Sequence, residues 1–284
     1  MMNHIGKSKE FEMIRWNQLS RSEDAYDAQK LIDQLSTHDA PKLSLPECTD
    51  VRSDVRFIYR LYDLQKITRF FGQKYWEAET EYTIAAPNKL GLENVAAHSY
   101  QVARCALLLA SHFPWLDRAH TTELALLHDE PEIVIGDRDP VGHDGQGSDT
   151  HAFNPKKQLE KDEDERVAVD QLANEMRPKI RDRYRRLFLE LREGVTEEAR
   201  FVKAVDKLQS LAFVRLKKMG EFTPDHVAFT LRYSCSGVRR FPQLQRHFMY
   251  IFEDLLLDVS STQTGRYDDF HALTWSCFID AEKR

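Results

Sequence analysis

The feature that most constrains this chain is a succession of apolar stripes at helical spacing, closed one after another by glycine or proline. Val55, Ile58, Leu61, Leu64, Ile67 and Phe71 recur at three- and four-residue intervals and stop at Gly72. A second stripe holds Val95, Val102, Ala106 and Leu109 and ends near Pro114; a third segment runs from about Asp117 to Ile135 and meets Gly136. Further patterns cover 156–174 and 178–193, with Gly194 after the second. A long one spans 196–219, with Phe201, Val205, Leu208, Ala212 and Leu216 inward and Gly220 at its end. The C-terminal region adds patterns at 224–233, 241–259 and 268–281. No segment alternates at period two for long enough to demand a sheet. The predicted fold class is all-α.

A chain of 284 residues, 42% of them hydrophobic, can bury a full core in one large domain with or without an extension. Residues 1–50 are mostly polar, with one short helical pattern at Ala25, Ala28, Leu31, Ile32 and Leu35. The stretch THDAPKLSLPECTD that follows reads as a linker, because it holds two prolines and several turn formers. The predicted division is an accessory arm at 1–50, a helical core at 51–222 and a C-terminal helical extension at 223–284 packed on that core. Residues 137–155 (DRDPVGHDGQGSDTHAFNP) form a long polar loop, and such loops are usually functional or mobile.

The formal net charge of −6 argues against a general nucleic-acid binder. An acidic chain that handles phosphate must concentrate positive charge locally. The basic stretch RPKIRDRYRRLFLELR carries the stripe Ile180, Tyr184, Leu187 and Leu191, so its charges are read as a solvated helix face. The four cysteines form no CxxC pair and are expected to be reduced thiols of a cytoplasmic protein. No apolar run reaches membrane-spanning length and no signal-peptide core opens the chain, so no membrane partner is expected.

Four candidate metal ligands lie inside these helical patterns: His98, the adjacent pair His128-Asp129, and Asp206. Two imidazoles and two carboxylates suit a divalent metal with positions left open for water and substrate. Taken singly, His98 would more often be a hydrogen-bonded core histidine, and Asp206, beside Lys203 and Lys207, a surface ion pair. Taken together, burying these groups on apolar stripes without a partner is costly, and a shared cation removes that cost. Glu132 lies four residues after His128, on the same face of a continuous helix. It could polarise a bound water or protonate a leaving oxygen. Asp137, just past Gly136, would project at the mouth of the site. His143 and His151 lie in the polar loop and are not counted among the ligands, so one metal is expected.

These residues resemble the His…His-Asp…Asp pattern of the HD-domain metal-dependent phosphohydrolases. ENVAAHSYQVA is similar to that family's first-ligand helix, LALLHDEPEIVIGDRDPV to its HD-x-x-E-x-x-x-G-D-x-x-x-P segment, and EARFVKAVDKLQSLAFVRLKKMGEF to its last-ligand segment. The combination looks like the branch of bacterial 5′-deoxynucleotidases and related phage deoxynucleotide triphosphohydrolases, over about residues 56 to 222. The resemblance implies an HD-domain helical bundle with extra N- and C-terminal helices. It implies one divalent ion (Mn, Co, Mg or Zn) per chain, held by His98, His128, Asp129 and Asp206. It implies that Glu132 assists the attacking water, that Asp137 contacts the sugar and that Arg69 contacts the phosphate. The expected substrates are deoxynucleoside 5′-monophosphates. Triphosphate hydrolysis and an idle nucleotide-sensing domain are the alternatives, and the resemblance also implies a homodimer or higher homo-oligomer. Three features depart from the pattern. Phe70 replaces a common Trp, the Arg69–His98 spacer is long, and Val141-Gly142-His143 follow Pro140 where relatives often have Lys.

Overall fold

The computed structural model describes residues 48–76 and 90–262. The predicted helices near 25–35 and 268–281 lie outside the described residues, as does the 1–50 arm except for its last three positions. Helices dominate, and among the described residues the only β feature is an isolated antiparallel bridge between Thr68 and Asn94. The fold is all-α. No helix of the described residues is long and apolar enough to cross a membrane.

Helix α1 (Cys48–Leu61) stops ten residues before the sequence pattern does, which corrects the predicted helix through Phe71. The chain tightens into a 3-10 turn at Tyr62–Lys66 and becomes extended at Ile67 (φ −98°, ψ 105°). Asp63 gathers Arg60 at 2.7 Å and Lys66 at 2.5 Å across that turn. The backbone then finds partners on the segment before α2: Arg69 N–H donates to the Glu93 carbonyl (2.8 Å) and Val95 N–H to that of Ile67 (3.0 Å). Val55 and Ile58 are exposed, and Phe57 packs edge-on to Tyr184 instead. The early stop matters because it places Arg69 beside Glu93.

Helix α2 (Val95–Leu109) starts at Asn94, whose side-chain oxygen accepts the Ala97 N–H at 2.9 Å. Its inward residues Val95, His98, Val102 and Ala106 are all buried. Helix α3 (Arg118–Leu127) is capped by Asp117 and ends at the His-Asp pair. The predicted single helix from Asp117 to Ile135 is therefore broken in the middle. Pro131 has no N–H to continue an α-helical ladder. The chain winds through 128–131 with three-residue hydrogen bonds, Glu130 N–H to Leu127 and Glu132 N–H to Asp129, both at 3.0 Å. A single turn, Glu132–Ile135, follows before Gly136 (φ +73°) redirects the chain. Glu132 and His128 thus do not share one continuous helix face.

Helices α4 (Pro155–Glu175) and α5 (Pro178–Glu193) form an antiparallel pair. Helix α6 (Glu197–Lys218) is the centre of the bundle and packs against α2, α3, α5, α7 (Pro224–Val238) and α8 (Gln245–Thr262). A helix surrounded in this way buries more than one stripe. Phe201, Val205 and Leu208 are buried as predicted, but so are Leu211, Phe213 and Val214, while Leu216 is 54% exposed.

The 137–155 loop is tightly hydrogen-bonded. The Asp144 carboxylate accepts from the N–H groups of Gln146 (2.7 Å), Gly147 (3.0 Å) and Ser148 (3.3 Å), and from the Ser148 hydroxyl. The Ser148 hydroxyl and these amides hold Asp144 down at about 2. Tyr75 and Lys74 donate to the loop carbonyls of Gly145 and Asp144 (2.8 and 3.2 Å), fixing it over the bundle.

Candidate functional site

Four side chains meet where α2, the end of α3 and the middle of α6 converge. His98 Nε2 lies 3.2 Å from Asp206 Oδ1, 3.3 Å from Asp129 Oδ2 and 3.3 Å from His128 Nε2. His128 Nε2 lies 3.2 Å from Asp129 Oδ2. Donor atoms of His98, His128 and Asp206 all fall within 4.8 Å of one another. Donors about 2.0–2.2 Å from a common cation stand roughly 3.0–3.5 Å apart at tetrahedral or octahedral angles. The spacings of this cluster match that requirement.

The ring nitrogens also fit. Each imidazole has an oxygen acceptor at Nδ1: Gln209 Oε1 for His98 (2.7 Å) and the Ala125 carbonyl for His128 (2.8 Å). The Gln209 amide is pinned in that orientation because its Nε2 donates to Glu93 Oε1 at 2.8 Å. Nδ1 of each ring thus faces an oxygen acceptor and Nε2 faces the shared space, the ring orientation a metal ligand needs. Burial and the neighbouring Arg69 oppose charging of His98, yet its hydrogen bonds to Asp129, Asp206 and Glu93 outweigh them and hold it well above its ordinary range. The cluster has the negative potential that suits a cation.

Arg69 is drawn into the same network. Its Nη1 donates to Glu93 Oε2 at 2.7 Å and its Nη2 to the Ser210 hydroxyl at 3.2 Å. Ser210 in turn lies 3.5 Å from Asp206 Oδ1. A closed loop of contacts results: Arg69, Glu93, Gln209, His98, Asp206 and Ser210. Glu93, Gln209 and Ser210 were not among the residues singled out in the sequence. Glu93 lies five residues before His98, and Gln209 and Ser210 lie one helical turn past Asp206, positions from which a residue can brace a ligand.

Glu132 and Asp137 line the cavity that opens onto the cluster, together with Arg69, His128, Asp129 and Asp206. Burial raises the Glu132 carboxyl well above its usual range, and Asp129 and Asp137 push it the same way. Its Oε2 is buried without a hydrogen-bond partner among the described residues. Burial also raises Asp137, against the pull of Arg69 and of a hydrogen bond from the Phe70 N–H. Phe70 holds a left-handed backbone (φ 65°) and stacks on Phe213, with ring centres 5.3 Å apart. The sequence departure at this position thus builds an apolar wall of Phe70, Trp76 and Phe213.

The cavity measures about 290 Å³ and reaches well past the cluster. Its far wall is formed by α4, α6 and α7 and carries Lys161, Lys203, Lys207 and Arg240. Lys207 Nζ is 2.9 Å from Asp206 Oδ2. Burial would raise Asp206, but Lys207 and the two imidazoles more than offset it and leave the carboxyl well below its usual range. Gly237 on α7 admits the Lys207 stem, since a Cβ there would fall 2.1 Å from Lys207 Cγ. Of the two loop histidines, His143 is fully exposed beside Asp149, whereas His151 lines the cavity. Burial pulls His151 down to about 3, which keeps it neutral.

Comparison with known proteins sets this geometry in context. Residues 85–238 match the family model described as HD domain. That span holds all four cluster residues and extends through α7. Among solved structures, the chain is similar to a predicted metal-dependent phosphohydrolase from Magnetospirillum magnetotacticum MS-1, with 22% identity, a TM-score of 0.54 and coverage of 74% of this chain and 95% of that one. A conserved hypothetical protein from Pyrococcus furiosus aligns with 22% identity, a TM-score of 0.46 and coverage of 71% and 98%. The PH0347 protein from Pyrococcus horikoshii OT3 aligns with 18% identity, a TM-score of 0.47 and coverage of 71% and 97%. At these identities, the likeness to the Magnetospirillum protein is one of fold. No curated protein matches.

Proposed function

The chain belongs to the HD-domain family, and from that premise we propose that it is a metal-dependent phosphohydrolase acting on nucleoside 5′-monophosphates, deoxynucleotides above all. The observation that carries this reading is the convergence of His98, His128, Asp129 and Asp206, with both imidazoles held at Nδ1 so that Nε2 faces the shared space. These four residues would hold one divalent cation. When bound, it supplies Lewis acidity and neutralises charge on the phosphoryl oxygens.

The remaining steps belong to the side chains. Arg69, braced by Glu93 and Ser210, keeps further N–H donors for phosphoryl oxygens, and its planar fork suits them. The apolar wall of Phe70, Trp76 and Phe213 limits water on one side, which strengthens every charge interaction inside. Glu132 takes a proton from the attacking water at its unpartnered Oε2. Water oxygen then bonds to phosphorus as the bond from phosphorus to the sugar oxygen breaks. Glu132 returns the proton to that oxygen, releasing nucleoside and orthophosphate. Asp137, beside Arg69 at the cavity, accepts a hydrogen bond from a sugar hydroxyl.

A second reading, hydrolysis of deoxynucleoside triphosphates to nucleoside and tripolyphosphate, is favoured by the cations on the far wall. A product screen of mono- and triphosphates with Mn²⁺, Co²⁺, Mg²⁺ or Zn²⁺ tests both. Release of orthophosphate or tripolyphosphate, lost in an Asp129→Ala control, is expected; no product from any nucleotide ends the hydrolase reading.

A further inference from the structure

Helix α1 has an inverted amphipathic pattern: polar side chains face the bundle and apolar ones face solvent. Toward the bundle, Asp54 pairs with Arg177 at 2.6 Å, Arg60 lies 3.5 Å from Glu175, and the Ser53 hydroxyl donates to the Glu175 carbonyl at 3.3 Å. Phe57 adds an apolar contact there, edge-on to Tyr184. The opposite face carries Val51, Val55, Ile58, Tyr59 and, at the start of the 3-10 turn, Tyr62, each between 37% and 70% exposed. Spacings of three and four residues set them on one stripe. From Val51 to Tyr62 the stripe is about 16 Å long at helical rise. Single exposed apolar residues are ordinary, but a contiguous stripe of them marks a surface that another molecule covers.

The charges beside the stripe select the occupant. Arg52 and Arg56 are exposed, and neither has a carboxylate within ion-pair distance among the described residues. The nearby acids are engaged elsewhere, Asp50 and Asp54 with Arg177, and Asp63 with Arg60 and Lys66. The face thus carries guanidinium groups in its N-terminal half and phenol rings in its C-terminal half. A two-fold axis across the middle of the helix reverses one copy against the other, so each arginine end meets a tyrosine end. A guanidinium over a tyrosine ring is a favourable contact. Val55 and Ile58 then meet near the axis. The face complements itself.

We propose that the outer face of α1 is a two-fold interface between two copies of this chain. This goes beyond the hydrolase reading and does not depend on it. One helix face supplies less than the roughly 800 Å² per partner of a standard interface, so the dimer is reversible rather than permanent.

Sedimentation velocity of the full-length protein over a concentration series tests this, with the fold of each variant checked by circular dichroism. The expected result is a monomer–dimer equilibrium with a Kd of about 1–100 µM. Ile58→Glu should weaken it by about tenfold or more, because each dimer would cover two carboxylates. Arg52→Ala should weaken it by about fivefold, the worth of two exposed cation–π contacts. Both positions are exposed, so the monomer should keep its fold. Tyr250→Glu, at an exposed position on α8, should leave the equilibrium unchanged. A monomer at every concentration, a dimer that Ile58→Glu and Arg52→Ala both leave intact, or equal weakening by Tyr250→Glu overturns the interface.

Discussion

The two regions of the cavity solve opposite problems. Around His98 nearly every polar group is answered by another: Arg69 by Glu93, Glu93 by Gln209, Gln209 by His98, His98 by Asp206. Farther along the same cavity Lys203 and Arg240 meet like charges and, among the described residues, have no carboxylate within ion-pair distance. A closed network fixes donors to the small tolerances that a cation demands. The two regions thus differ in how their charges are answered.

The sharpest break of that contrast is a ligand deletion. His98→Ala or Asp206→Ala should lower turnover by roughly 10³-fold or more, since several kcal/mol of charge stabilisation go with the metal. Arg240→Met should leave monophosphate turnover within about threefold, the range of a contact made outside the reacting centre. Similar losses in both would erase the distinction between the regions. Glu132→Gln comes next, with kcat down by about 10²-fold or more. Its thermal stability should hold or rise, because a buried carboxyl without a partner is replaced by a neutral amide. Gln209→Ala removes a brace rather than a ligand, so metal affinity should fall by about 10–100-fold with the fold intact. Metal titration reads this directly, and unchanged affinity would show that the network is ornamental to the centre.

The smallest effect concerns pH. Unfolded chain keeps Lys203 protonated up to its ordinary 10.5, whereas the folded chain releases that proton near 8. Between those values the unfolded state binds more protons, so this residue makes stability rise with pH. Thermal melts of wild type and Lys203→Met across that window should converge as pH increases. Parallel curves would mean that Lys203 is already compensated.

The sequence made the His98, His128, Asp129 and Asp206 cluster legible because its members are rare residue types set inside apolar stripes. A histidine among Val95 and Val102 stands out. The helical class was legible for the same reason, since the stripes recur with glycine or proline stops. Two boundaries were not. The helix before Arg69 ends early because its backbone pairs with residues past a gap in sequence, and periodicity carries no information about such pairing. The helix through His128 breaks because Pro131 acts against a pattern that otherwise continues. The far wall was hidden more deeply. Lys203 and Arg240 look like ordinary surface charges in sequence, and only the fold brings α6 and the end of α7 to one cavity. Glu93 and Gln209 lay within the quoted motifs, yet their roles depend on side-chain directions that spacing alone does not give.

The central claim is that His98, His128, Asp129 and Asp206 hold one divalent ion. Elemental metal analysis of the purified chain after loading with Mn²⁺ and removal of the excess tests it most directly, with Asp206→Ala measured in parallel. The account predicts one ion per wild-type chain and a near-complete loss in the variant. Wild type without bound metal, or a variant that retains the full complement, would contradict it.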